Sequence, residues 1–367
     1  MHLLQRLLKS NLQGLIFCFF HSHINLIRLE SSWGCLGPTS PAELQQWVSQ
    51  IVSRLDSTQR SAVKGFLRSA ASYSTAYGGC GFFESIVWQL TTHLGVRAPR
   101  CTHGWEVQEK ARLALMGKAC PDGPEHIFGD LMSIFPTRTI RKLFKVQKVL
   151  RREHCRMVKA GHWTHAKGVL TKGLELLQAC DGLLSQARPS PKAWCFKHRR
   201  FCVIPTAPLG SMCFHAAGST CVDFSQRSST QLRLLGPHMV VFASWAWSRR
   251  LHMEHLILHE CVVHHPSAFL LRRYLGSTHL VISWVLCPSL FGHPCTRRRR
   301  FTLALHRSRL RTPLCRSPED LFRFTLAASG DIYFSALPVE VDSFLAAKGI
   351  LSWRELLAPG ALRRRMR

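Results

Sequence analysis

The chain has 367 residues, 46% hydrophobic and 19% charged. This is enough apolar material for a sizeable core, in two or three domains or in one large α/β domain with insertions. A formal net charge of +28 implies an acidic partner, nucleic acid before membrane surface. The 15 cysteines are odd in number and lack the compact spacing of a disulfide framework, so a secreted disulfide scaffold is excluded and mostly reduced thiols of an intracellular protein are expected.

Residues 1–40 carry Arg6, Lys9 and Arg28, with no acid before Glu30. The apolar run from Leu15 to Phe20 is too short to cross a bilayer, so no membrane partner is expected. The segment fits either a mitochondrial or plastid transit peptide or a mispredicted start. Pro41 opens a helical pattern that runs loosely to about Ala71. Tyr77-Gly78-Gly79-Cys80-Gly81 follows, with glycines suited to a tight turn and close approach of a ligand to the backbone. The apolar positions after it suit a helix, so this is a candidate strand–turn–helix nucleotide site, although the strand before it is poor in apolar residues. Gly104-Trp105-Glu106-Val107 and His126-Ile127-Phe128-Gly129-Asp130 each place an acid after a short apolar piece. An acid at the end of the second strand of a dinucleotide-type sheet commonly bonds ribose hydroxyls; a surface turn or a helix cap is the plain alternative. Residues 41–135 thus read as an N-terminal helix and a cofactor-binding half.

Residues 136–209 form a basic insert, helical in its first half, with Arg141, Lys142, Lys145, Lys148, Arg151 and Arg152 recurring along one segment. That pattern suits a nucleic-acid-facing helix or a solvated face. Cys195, His198 and Cys202 have metal-ligand character, with Cys155, His162, His165 or Cys213 as a conceivable fourth group, but three ligands at irregular spacing are weak evidence and no metal is assigned. Residues 210–306 read as a catalytic half. The run Met212–Ala217 is a buried strand, broken by Gly218 and Ser219, with Cys221 in the loop beyond its end; a cysteine there is a candidate nucleophile where its thiolate is favoured, and otherwise a buried structural thiol. A helix from Pro237 to about Arg250, a strand His255–Leu258 leading to Glu260, a helix Ser267–Tyr274, a strand His279–Leu286 and a strand after Arg297–Arg300 complete the rhythm. Residues 307–367 are a C-terminal remnant.

In this order the motifs resemble the DNA cytosine-5 methyltransferases. Thr220-Cys221-Val222-Asp223-Phe224-Ser225 resembles the family's Pro-Cys-Gln nucleophile loop with its Phe-Ser tail. Glu260-Cys261-Val262 is similar to the Glu-Asn-Val motif, and Thr296-Arg297-Arg298-Arg299-Arg300 to Gln-x-Arg-x-Arg. Leu286–Pro294 looks like the approach to that motif. Tyr77–Gly81 resembles the Phe-x-Gly-x-Gly cofactor loop. The resemblance covers roughly residues 72–135 and 210–306. The chain departs from the family at Thr220, Val222, Cys261 and Thr296, and no last Asn-containing cofactor motif is visible after Leu305.

The resemblance implies an α/β fold of the S-adenosylmethionine-dependent methyltransferase type, a mixed, mostly parallel sheet flanked by helices. It implies transfer of a methyl group from S-adenosylmethionine to C5 of cytosine in DNA, with Cys221 as nucleophile, Glu260 as acid, and Arg298 and Arg300 holding the loop and the base. Tyr77, Gly79, Gly81, Glu106 and Asp130 would bind the cofactor. RNA in place of DNA, or a non-catalytic nucleic-acid-binding module on the same fold, are the alternatives. A nuclear location is expected, with mitochondrion or plastid as alternatives.

Overall fold

The computed structural model describes Val52 and residues 57–79, 81–117, 123–207, 211–219, 222–225, 231–286 and 298–309. Thr220, Cys221, Cys80 and Thr296, the terminal segments and most of the 286–294 approach lie outside the described residues. Nine strands form one sheet: β1 (Ala70–Ala76), β2 (Arg100–Trp105), β3 (His126–Phe128), β4 (Lys192–Cys195), β5 (Arg200–Val203), β6 (Met212–Gly218), β7 (Leu256–Val262), β8 (His279–Leu286) and β9 (Arg299–His306). Their order across the sheet is β5-β4-β3-β2-β1-β6-β7-β9-β8. Pairing is parallel from β3 through β2, β1 and β6 to β7, and antiparallel at β3–β4, β4–β5, β7–β9 and β8–β9. Only β4 and β9 therefore run against the other strands, and the mixed, mostly parallel sheet expected from the sequence is the one observed.

Helices cover both faces. On one, α1 (Ser57–Ser69) and α2 (Phe82–Leu94) bury Phe66, Phe83, Ile86 and Leu90 against Tyr73, Phe214, Leu258 and Leu303. On the other, α4 (Thr137–Lys159), α5 (His165–Ser185), α6 (Pro237–His252) and α7 (Ser267–Leu275) bury Leu143, Leu176, Trp245 and Leu271 against Trp105, Phe128, Ala217 and Ile257. The short α3 (Glu109–Met116) follows β2. Both faces of the inner strands are buried, which is why β6 and β7 read as continuous apolar runs rather than alternating ones.

The first expected helix needs correction. It ends at Ser69, and the polar-looking Ala70–Ala76 is the central strand β1. Its hydroxyls are paired inside the protein: Ser72 with Cys213 Sγ at 3.0 Å, Ser74 with His215 Nδ1 at 2.7 Å, and Thr75 donating to Glu84 Oε1 at 2.6 Å. Buried polar groups are tolerated when hydrogen-bonded. The basic insert is also more structured than expected. It holds two long helices, and its end forms the β4–β5 hairpin that extends the sheet edge.

His215 on β6 organises a buried polar cluster beneath α6. The Trp245 indole N–H donates to its Nε2 at 3.0 Å. That nitrogen must therefore accept, while Ser74 Oγ at 2.7 Å and Arg249 Nη1 at 3.0 Å both face the other ring nitrogen, Nδ1. Arg249, fully buried, pairs with the equally buried Glu254. Burial, followed by the Arg249 charge, holds His215 well below the ordinary histidine range, so the ring stays neutral.

Candidate active site

The sheet order reverses between β1 and β6: β1 leads outward to β2 and β3, and β6 leads the other way to β7. In open α/β sheets such a switch point opens a crevice at the carboxyl ends of the strands. Ala76 pairs with Ala217 across β1 and β6. The glycine loop after β1 and the loop after β6, which carries Cys221, therefore leave the sheet side by side.

The glycine loop depends on backbone that favours glycine. Gly79 and Gly81 have φ of 56° and 83°, and Tyr77 also lies in the left-handed region at 57°. A Cβ on Gly79 would meet nothing within 4 Å, so the space above it is open, whereas one on Gly81 would come 2.9 Å from Leu115. Gly81 then caps the N-terminus of α2. Helix N-termini with adjoining glycines suit anionic or strongly polar ligand groups. Below the loop lies Glu84, fully buried, its carboxyl pushed up by burial and bonded to Thr75. Sequence reasoning missed it, because only packing shows that it underpins the turn.

Glu106, buried at the end of β2, accepts from Gly79 N–H at 2.9 Å through one oxygen and from Gln108 N–H at 2.8 Å through the other. Asp130 lies exposed just beyond β3, where its carboxylate caps a short 3-10 turn by accepting from Met132 N–H at 2.9 Å. The structure thus brings Glu106 onto the glycine loop and leaves Asp130 at the rim. Burial first, and then the Asp130 charge, raises the Tyr77 hydroxyl far above its ordinary value.

On the other side of the switch point, Ser219 is fixed by β7. Its hydroxyl lies 2.8 Å from His259 Nε2 and 3.5 Å from Cys261 Sγ. Cys261 therefore helps to hold the start of the loop that leads from β6 to Val222. The far end of that loop is held by Asp223, which is buried and accepts from His238 N–H at 3.1 Å and faces His238 Nδ1 at 3.0 Å. His238 is in the first turn of α6, where a carboxylate also favours the helix dipole. The hydrogen bond to Asp223 raises the His238 pKa. Phe224 packs edge-on to His265, and Tyr77, Ser219, Phe224, His238, Phe242 and His265 enclose a small cavity.

Glu260 is buried near the end of β7 and pairs with Arg299 Nε at 2.9 Å. Glu260 stands opposite Phe301 in the β7–β9 register, so the residue two places before Phe301 shares its face of the sheet. Arg300 points to the other face and donates from Nε to Val263 O at 2.8 Å, and Arg298, just before β9, is exposed. The structure brings Arg299, not Arg298 or Arg300, onto Glu260. A motif read without register cannot separate adjacent arginines.

No family model matches the chain, and no curated protein matches it. Among solved structures it is similar to the S. pombe Dnmt2 methyltransferase, at 12% identity, over 70% of this chain and 54% of that one, with a TM-score of 0.34. It is also similar to a putative DNA modification methyltransferase encoded within an E. coli prophage, at 12% identity, over 65% of this chain and 47% of that one, with a TM-score of 0.31. The chain spans about half the length of these solved proteins.

Proposed function

We propose that this chain is a cytosine-5 methyltransferase acting on DNA, with Cys221 as its nucleophile and S-adenosylmethionine as its methyl donor. The observation that carries the reading is the Ala76–Ala217 pairing, which sets the Gly79–Gly81 loop beside the loop that holds Cys221, with Glu260 one strand further on.

The chemistry follows from these positions. C5 of cytosine is too weak a nucleophile to accept a methyl group unaided; addition of the Cys221 thiolate to C6 makes it one. Electron density then moves into the ring, and a carboxyl group at N3 relieves it. Glu260 would serve that and the exocyclic amine, with its carboxylate held by Arg299. S-adenosylmethionine, when bound, would supply the methyl group, and loss of the C5 proton to solvent would then expel the Cys221 thiolate from C6 and restore the ring. Gly79, Gly81 and Glu106 would hold it on their side of the crevice. The cytosine must leave its stack to reach this edge.

The partner side of the reading rests on α4. Its inward stripe is Leu143, Gln147, Leu150 and His154, while Arg141, Lys142, Lys145, Lys148, Arg151, Arg152, Arg156 and Lys159 are all exposed. Its C-terminal half lines an open groove formed by Lys148, Arg151, Arg152, Arg156 and Lys159. Such a face suits phosphate contacts, which position a nucleic acid without reading its sequence.

A non-catalytic reading draws on Glu106, whose two oxygens both already accept backbone N–H groups. Mechanism-based trapping separates the two. Incubated with S-adenosylmethionine and a 5-fluorocytosine duplex, the wild-type chain should form a covalent adduct that Cys221→Ser abolishes and Cys155→Ser does not. Binding of both ligands without any adduct would make the chain a binding module. An adduct on RNA alone would move the substrate to RNA, and an adduct persisting in Cys221→Ser would remove Cys221 from the role.

A further inference from the structure

We propose that His126, Cys195, His198 and Cys202 bind one zinc ion, which pins the β4–β5 hairpin to the sheet edge. This inference is independent of the methyltransferase reading. Two of the four groups come from the hairpin strands. Cys195 closes β4 and Cys202 lies on β5; the antiparallel register sets Cys195 opposite Arg200 and Ala193 opposite Cys202, so the two thiols share the inward face. Both are buried and neither is in a disulfide. His198 stands in the turn between the strands, where Arg199 adopts a left-handed φ of 52°. His126, the first residue of β3, completes the set from a different part of the chain.

The ligand atoms of all four residues lie within 4.8 Å of one another. His198 Nδ1 is 3.4 Å from Cys195 Sγ and 3.5 Å from Cys202 Sγ. In a tetrahedral site with Zn–S near 2.3 Å and Zn–N near 2.0–2.1 Å, sulfur and nitrogen are separated by about 3.6 Å. The His126 and His198 rings meet edge to face with centroids 4.9 Å apart, and the buried His126 Nδ1 has no hydrogen-bond partner among the described residues. Two sulfurs and two imidazole nitrogens are the donor set of structural zinc, and four protein ligands leave no open position for catalysis. Oxygen-seeking cations are disfavoured by the same donors.

The surroundings give such a staple a purpose. β3 and β4 share a single paired position, Phe128 with Cys195. The outer face of the hairpin exposes Trp194, Phe201 and Val203, so apolar burial there is limited. Around the cluster, Phe196 N–H donates to Ile127 O at 2.8 Å, Lys197 Nζ donates to Pro124 O at 2.8 Å, and the Arg112 guanidinium stacks on the Phe196 ring. These contacts hold the turn in the position from which His198 reaches both thiols. Asp130 lies directly beyond β3, so the metal would also steady the rim of the candidate cofactor cradle.

The test uses the full chain with zinc and cobalt alone. Purified without chelator, it should carry one zinc per chain. Cobalt loading should give the absorption of a tetrahedral site with thiolate-to-cobalt charge transfer. His198→Gln, an exposed turn position whose fold is checked by circular dichroism, and Cys202→Ser should each weaken zinc binding by more than about 100-fold, beyond the loss of an outer-shell partner. Cys155→Ser should leave it unchanged. A wild-type chain that holds no zinc after dialysis against the free ion would overturn the proposal. So would equal zinc affinity in His198→Gln and Cys202→Ser, or a Cys195–Cys202 disulfide as the ordinary state.

Discussion

Asp223 accepts the backbone N–H of His238 and lies 3.0 Å from its Nδ1, which ties the loop after β6 to the first turn of α6. Gly236 makes the approach feasible, since a Cβ there would fall 2.0 Å from the Asp223 carboxylate. The loop that carries Cys221 is thus anchored at Ser219 by β7 and at Asp223 by α6.

Asp223→Ala should destabilise the fold by about 1–3 kcal/mol, the usual cost of removing a buried hydrogen-bond acceptor, and should slow covalent trapping. Gly236→Ala should do the same by overpacking, at about 1–3 kcal/mol. The specific readout is the His238 imidazole. Its pKa, raised by Asp223, should fall in Asp223→Ala when followed by NMR, whereas a merely structural role for Asp223 elsewhere would leave it unmoved.

Arg299→Ala should leave the buried Glu260 without this half-buried partner and cost about 1–3 kcal/mol, the usual penalty for a buried polar group left unpaired. Arg298→Ala, at an exposed position, should stay within about 0.5 kcal/mol of wild type in denaturant unfolding. Equal effects of the two variants would contradict the register that sends Arg299 to the Glu260 face.

Glu106→Ala removes the acceptor for both Gly79 N–H and Gln108 N–H. S-adenosylmethionine affinity, measured by calorimetry, should drop by about 1–3 kcal/mol if the carboxylate also serves the ligand. Unchanged affinity in a folded variant would confine Glu106 to shaping the glycine loop.

Nucleic-acid affinity should fall steeply and linearly on a logarithmic salt axis, because each neutralised phosphate releases counterions. Replacing Lys148, Arg151, Arg152 and Arg156 by glutamine should reduce the slope by roughly 4 for a duplex, about one per lost phosphate contact. A flat salt response in the wild type would assign the charge of α4 to something other than phosphates.

Acid should unfold this protein early. Burial lowers His252 and His265 to about 3 and His279 to about 4, from an ordinary 6.5. These folded-state values are depressed, so the unfolded chain binds more protons between about pH 4 and 6.5. The stability they contribute is complete above 6.5 and is lost as pH falls below it. Uptake of three protons corresponds to roughly 4 kcal/mol per pH unit in that window, large against a total stability of about 5–15 kcal/mol. Thermal melts at pH 7.5, 6 and 5 check this. A melting temperature independent of pH across that range would mean that the imidazoles already titrate freely in the fold.

The order of elements in the second half is legible in the sequence. Pro237 opening α6, Gly276 after α7 and the apolar runs of β6, β7, β8 and β9 are local signals, and local signals are what periodicity and capping report. The Gly79 and Gly81 turn was legible for the same reason. The strand before it, β1, reads as a poor one, because Ser72, Ser74 and Thr75 look solvent-facing until Cys213, His215 and Glu84 supply their partners from elsewhere in the chain. Three further points come from long-range packing. Strand register chose Arg299 over its neighbours as the partner of Glu260. Packing of α6 against the loop after β6 gave Asp223 its role. The alignment of β3 beside β4 brought His126, instead of Cys155, His162, His165 or Cys213, to Cys195, His198 and Cys202. Each depends on contacts between residues distant in sequence, and such contacts leave no period or spacing to read until the sheet has fixed which strands are neighbours.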